Sequence, residues 1–201
     1  LNGIRMFSTE DIIAMKVQAI LGRAKKKDFF DVAELLQHFT ISDFIQFHKE
    51  KYTTQNLLIT VPQAITYFSD ADESEDPISL KNQTWEKVKA FINKKGEAEL
   101  LLSLAELSII DNFKIQSNLQ VLELLYNALE LGKQTKALDL LAKIKYVLYK
   151  AYKKSGNYNE ALSNLESSLS IEKDVHNASI KEKVLNLEIS NRVEQLKKEA
   201  E

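Results

Sequence analysis

With 201 residues, the chain is long enough for one large domain or two small ones. Its 27 Lys and Arg against 29 Asp and Glu give a formal charge of −2, which argues against a strongly basic nucleic-acid-binding domain and leaves only local phosphate contacts. The absence of cysteine removes disulfides, thiolate-held metals and a thiol nucleophile and fits a reducing, cytoplasmic setting, while five Gly and two Pro are few for a turn-rich β architecture, so an all-α fold is expected.

Ser8 with Asp11 three residues on, followed by Ile12, Ile13, Val17 and Ile20, predicts a helix from about Thr9 to Leu21 that closes near Gly22. Phe29, Val32, Ala33 and Leu36 repeat at helical spacing and predict a second, from near Lys27 to about His38. Thr40 and Asp43 repeat the capping pattern for a third helix with Ile41, Phe44, Ile45 and Phe47 on its apolar side, and a fourth is expected from Leu57 to Tyr67. Five acids between Ser69 and Pro77 give no apolar face and read as a solvated loop. Thr84 then caps a helix carrying Trp85, Val88, Phe91 and Ile92, with Asn93 to Gly96 as its stop.

That stop places a domain boundary at about residue 95, dividing a small helical domain (1–95) from a helical array (96–201). Helices are expected at about 97–110, 117–131, 134–154, 157–171 and 174–200, joined by short connections that make neighbours antiparallel. No run approaches the ~18 apolar residues of a membrane span, and no segment reads as a secretory signal. The chain opens on Leu1 and closes on Glu201 inside a charged helical pattern, and so reads as an internal piece of something longer.

The first half holds one dense constellation. Lys16 lies three residues after Ile13 and four before Ile20, so it projects from the edge of the buried stripe, where a cation must snorkel or meet an anion. Arg23 follows two turns later, and Asp28 and Asp31 are i, i+3 on the next helix. From spacing alone, an internal salt-bridge cluster closing the hairpin is favoured over an anion or phosphate site. Lys27 and its basic neighbours Lys25 and Lys26 read as a solvated turn or, more weakly, as a phosphate contact.

The wording of the segment, Met15-Lys16-x-x-Ala19-Ile20-x-x-Arg23 and then Lys27-Asp28-x-x-Asp31, resembles the third motif of the AbiEii/AbiGii-type nucleotidyltransferase toxins of toxin-antitoxin and abortive-infection systems in bacteria. Thr66-Tyr67-Phe68-Ser69-Asp70-Ala71-Asp72 and the helix from Trp85 to Lys89 are similar to later segments of that family, so the resemblance covers about residues 4–92. It implies the C-terminal helical half of a nucleotidyltransferase fold. Lys16 would touch the nucleotide triphosphate, Arg23 and Lys27 would be further phosphate contacts, and Asp28 would be the essential acid orienting the cations, with Asp31 behind it. Transfer of a nucleoside monophosphate from NTP to an RNA acceptor, with Mg²⁺ as cofactor and an antitoxin as partner, is what the family implies for an intact protein. Its Gly-Ser loop and Asp-x-Asp metal pair are not among these 201 residues, so the chain alone is not expected to be an active enzyme.

In the second half, Tyr152, Gly156, Ala161 and Leu165 are spaced as in a tetratricopeptide repeat across its inter-helix turn, and Leu125 and Ala128 resemble the end of a preceding repeat. Such arrays hold protein partners in a groove, for which Lys145, Tyr149, Asn157 and Asn164 are candidates. Ile189, Val193, Leu196 and Ala200 step by four, three and four, as a coiled coil or a solvated terminal capping helix would. The alternative to the toxin reading is a non-enzymatic scaffold or sensor that binds a partner protein through this array. His38, His48 and His176 lack metal-ligand spacing, so no metal site is expected, and Trp85 is expected to pack.

Overall fold

The computed structural model describes residues 6–55, 57–79, 81–110 and 118–199. They form helices α1 (Thr9–Arg23), α2 (Lys26–Leu35), α3 (Ile41–Lys51), α4 (Val61–Thr66), α5 (Ser69–Asp72), α6 (Trp85–Ile110), α7 (Asn118–Thr135), α8 (Leu138–Lys154) and α9 (Tyr158–Glu199), with no strand among the described residues. The fold is all-α. None of these helices is long and apolar enough to cross a membrane.

Side-chain caps fix most of the early helix starts. Ser8 accepts from the Asp11 amide at α1, Thr40 and Asp43 form a reciprocal capping box at α3, and Thr60 and Gln63 form another at α4, where Pro62 stands in the first turn. The Thr60 box starts α4 four residues later than the apolar pattern from Leu57 suggests. At α2 the N-cap residue Lys25 supplies no side-chain bond. Ser74 takes over, accepting from the Lys26 amide at 2.9 Å.

The first helix runs on through Gly22, and it is Ala24 that turns left-handed, at φ 41°, donating its amide to the Ala19 carbonyl. Burial of the Ala24 methyl and the grip of Arg23 on Asp28 across the turn hold an alanine where glycine is the usual choice. The second helix ends at Leu35, short of His38, because its last turn tightens: Gln37 and His38 donate to Glu34 and Leu35. On α3 the buried stripe is Ile41, Phe44 and His48, while Ile45 is exposed.

The segment expected as a solvated acidic loop is instead partly helical and firmly tied. Ala71 is fully buried, Asp72 accepts from Trp85 Nε1 at 2.5 Å and Lys89 Nζ at 3.1 Å, and Asp76 pairs with Lys26 at 2.9 Å. Trp85 packs as expected, its ring centroid 5.6 Å from those of both Phe29 and Phe68.

No helix break occurs at Gly96, since α6 continues from Trp85 to Ile110. A glycine stops a helix only if the chain then leaves it, and here the lack of a side chain serves close approach: a Cβ on Gly96 would lie 3.4 Å from Ile41 Cδ1. Val88 and Ile92 at the start of α6 join a core with Ile13, Val17, Phe29 and Phe44. Ala98, Leu102 and Ala105 further along join a second core with Leu125, Ile144 and Leu148.

Between these cores, Lys95 is 1% exposed and Glu99, at 12%, lies 3.6 Å away. The other Glu99 oxygen accepts from the Ile41 amide at 2.7 Å, capping α3 from α6. Burial pushes the Lys95 ammonium below, and the Glu99 carboxyl above, their ordinary values.

In the second half of the chain α6 lies along α7 and α8 along α9; short turns at residues 136–137 and 155–157 join α7 to α8 and α8 to α9. Gly156 takes φ +80° at the second turn, and Ala161 is buried where α9 meets α8. The two helices expected from residue 157 onward are one, Tyr158–Glu199. Ile189 on it is exposed, while the side chains of Val193 and Leu196, and Ala200 altogether, lie outside the described residues.

Candidate functional site

The α1–α2 hairpin brings Lys16, Arg23, Asp28 and Asp31 into one cluster. Asp28, near the start of α2, is fully buried and is the hub. Arg23 grips it with two bonds, Nε to Oδ2 at 3.0 Å and Nη2 to Oδ1 at 3.1 Å, a fork-to-fork geometry that a lysine could not reproduce. Lys16 Nζ stands 3.4 Å from Asp28 Oδ1 and 2.5 Å from Asp31 Oδ2. Burial works against the Lys16 charge, yet the hydrogen bond and field of Asp31, with Asp28 behind them, hold its pKa above the ordinary lysine value. The hydrogen bond to Asp28 likewise raises Arg23.

The cluster edges an open cleft of about 400 Å³. Met15, Ala19 and Gly22 on α1 give it a small, largely apolar wall, and Tyr52 closes another side. Behind Tyr52, 5.0 Å from its ring, lies the imidazole of His48, which is buried and bonds through Nε2 to Gln18 Oε1 at 3.0 Å. Burial pushes the His48 pKa down, so the ring is neutral at pH 7. Sequence reasoning missed this pair. Its one legible signal was the i, i+4 spacing of His48 from Phe44 on the buried stripe.

Lys27 does not join the cluster. It faces a separate cleft shared with Lys25 and the acidic loop at Glu73 to Asp76. Lys145 and Asn164 meet inside the α8–α9 hairpin, Lys145 Nζ donating to Asn164 Oδ1 at 3.0 Å. Asn157 caps α9 by accepting from the Glu160 amide at 3.4 Å. Three of the four candidate partner contacts are thus engaged in building the hairpin, and Tyr149 stands apart from them on the outer side of α8.

The order and spacing of this cluster fall inside a family match. Residues 2–101 are similar to an AbiEii nucleotidyltransferase toxin domain. The matching family is described as nucleotidyl transferase AbiEii toxin, type IV toxin-antitoxin system. An uncharacterized protein of Aquifex aeolicus (strain VF5) is 33% identical over 95 residues, covering 46% of this chain and 45% of that protein. The chain therefore spans under half the length of this curated relative. No solved structure matches it.

The carboxylates of the matched region do not fit a resident Mg²⁺. Asp28 is saturated by Arg23 and Lys16, Asp31 is held by Lys16, and Asp72 by Trp85 and Lys89. Among the described residues no group of three or more His, Asp or Glu is placed to hold a metal ion.

Proposed function

We propose that this chain supplies the phosphate-binding helical half of a nucleotidyltransferase toxin that moves a nucleoside monophosphate from a nucleoside triphosphate to RNA. The observation that carries this reading is the Lys16–Arg23–Asp28–Asp31 cluster, inside the AbiEii match, at the edge of an open cleft. Lys16, part-exposed and held by the exposed Asp31, can exchange that partner for a triphosphate oxygen, while the Arg23 guanidinium keeps its outer edge toward the cleft. Asp28 is a positioning residue that aims both cations. Mg²⁺ would be held by carboxylates of the intact toxin outside this chain, since the donors here are committed to cations.

The type IV toxin-antitoxin assignment supports an antitoxin as partner, and the α8–α9 hairpin, with Gly156 at its turn and Ala161 at its contact, supports a tetratricopeptide-like array as the place for a protein partner.

The test is calorimetric titration of the chain with a nucleoside triphosphate and with the matching nucleoside. Lys16→Ala should weaken triphosphate binding and leave nucleoside binding as it was. In the intact toxin, Lys16→Ala and Asp28→Ala should abolish transfer of labelled nucleotide to RNA, and retained transfer would refute their roles.

A further inference from the structure

Among the described residues, the outer face of α8 brings positive charge and aromatic rings together. Between Leu140 and Asn159 there is no Asp or Glu, whereas Lys143, Lys145, Lys150, Lys153 and Lys154 all fall there, together with four of the seven tyrosines. In a chain of formal charge −2, this is a local excess of five positive charges. Helical periodicity sorts the segment: Ile144, Val147, Leu148 and Ala151 are buried, while Tyr146, Tyr149, Lys150 and Lys153 line one open groove of about 510 Å³.

Within it the Tyr146 and Tyr149 ring centroids are 5.7 Å apart. Lys150 Nζ sits 4.6 Å from the Tyr146 centroid, and Lys153 Nζ 5.5 Å from the Tyr149 centroid and 3.2 Å from its hydroxyl. Tyr158, 69% exposed, follows at the start of α9. Lys145 and Tyr152 do not belong to this face, being engaged with Asn164 and with the Tyr126 hydroxyl.

Lysines alone would suit any anionic partner, so the rings decide the class. Tyr146 and Tyr149, three residues apart on one helix face with ring centroids 5.7 Å apart, offer two adjacent ring platforms of the kind on which successive bases stack. An exposed ring at Tyr146 and a part-exposed one at Tyr149, interleaved with ammonium groups, meet the two needs of a single strand: a stacking surface for bases and cations for the phosphates between them. We propose that this face of α8 binds single-stranded nucleic acid, with bases on Tyr146 and Tyr149 and phosphates on Lys150 and Lys153, Lys154 being held by the Ile109 carbonyl at 3.0 Å. The site is separate from the Lys16 cleft, lies outside the AbiEii match, and stands whether or not that cleft binds a triphosphate.

Fluorescence anisotropy of the full chain with a labelled oligouridylate of about twelve nucleotides tests this. Binding should weaken as salt rises, and the Lys150→Gln/Lys153→Gln variant should flatten the log–log salt slope by about 1.4, or ~0.7 per phosphate contact. The Tyr146→Leu/Tyr149→Leu variant, with unchanged circular dichroism, should bind about tenfold or more weakly at an unaltered slope. A duplex of equal length and a polyglutamate of equal charge should compete poorly, and a nucleoside triphosphate at matched ionic strength should not displace the strand. No binding at about 50 mM salt overturns the proposal, as does full affinity in the tyrosine variant. Displacement by polyglutamate as effective as by unlabelled strand would make the face one for acidic partners, and displacement by triphosphate would move the strand to the cleft; either result overturns the proposal.

Discussion

Replacing Lys95 by Met keeps the aliphatic stem that fills the space between the two cores and removes only the charge. At 3.6 Å, and with an effective dielectric of about 20, the attraction to Glu99 is worth about 4 to 5 kcal/mol before desolvation. Taking each ion out of water costs several kcal/mol, so the intact pair is close to neutral for stability, whereas a lone buried Glu99 is not. Lys95→Met should therefore destabilise by about 3 kcal/mol near pH 8, measured by urea unfolding. The folded-state pKa of Glu99 is already raised by burial, and loss of the cation raises it further. A raised carboxyl contributes stability that is present below its unfolded value and lost as pH rises through the folded value, so the defect should shrink toward about pH 5. Adding Glu99→Gln, whose carbonyl can still accept from the Ile41 amide, should return the double variant to within about 1 kcal/mol of wild type. If the single variant costs under about 1 kcal/mol at both pH values, or if the double variant is no more stable than the single, the pair's charges do not govern this junction.

His48 is neutral in the fold because burial lowers its pKa, so stability should fall as pH drops through the ordinary histidine value, where the unfolded chain takes up a proton that the folded one resists. His48→Gln should flatten the unfolding midpoint across that window, and an unchanged pH profile would count against a neutral His48–Gln18 pair. Gly22→Ala should stabilise α1 by up to about 1 kcal/mol, because the position is helical and a Cβ there meets nothing within 4 Å; a loss in thermal midpoint would contradict that. Asp28→Asn should destabilise by about 2 kcal/mol on urea unfolding, since the fully buried amide cannot satisfy the Arg23 fork; an unchanged midpoint would mean that Arg23 finds an equal partner in solvent.

Legibility followed the range of the interactions. Periodicity and caps depend on residues a few positions apart, so the Ser8 and Thr40 starts, the Phe29 to Leu36 stripe and the all-α class could be read from the chain. The Lys16, Arg23, Asp28 and Asp31 grouping was also accessible, because a tight hairpin carries its partners within one short stretch. What escaped was set by distant residues. Ser74 caps α2 from 48 positions away, and Gln18 meets His48 across 30. Gly96 has the local signature of a stop, but it packs close to the distant Ile41 side chain and the helix continues. The Tyr and Lys face of α8 is present in the letters, yet tetratricopeptide spacing points to the hairpin's inner contacts, where Lys145 and Asn164 meet.

The uninterrupted α6 separates inheritance from folding. Family likeness ends at residue 101, inside this helix and between Ala98 and Leu102, which both belong to the second core. A cut at that point would divide one rod and strip the turns from Ala98 onward of the second-core packing that supports them, while Val88 and Ile92 keep theirs in the first core. An experimenter isolating the toxin-like portion should therefore carry the fragment to Ile110 and mask the exposed Leu102–Ala105 edge, and a gene fusion joined at residue 101 would inherit a splice through a structural beam.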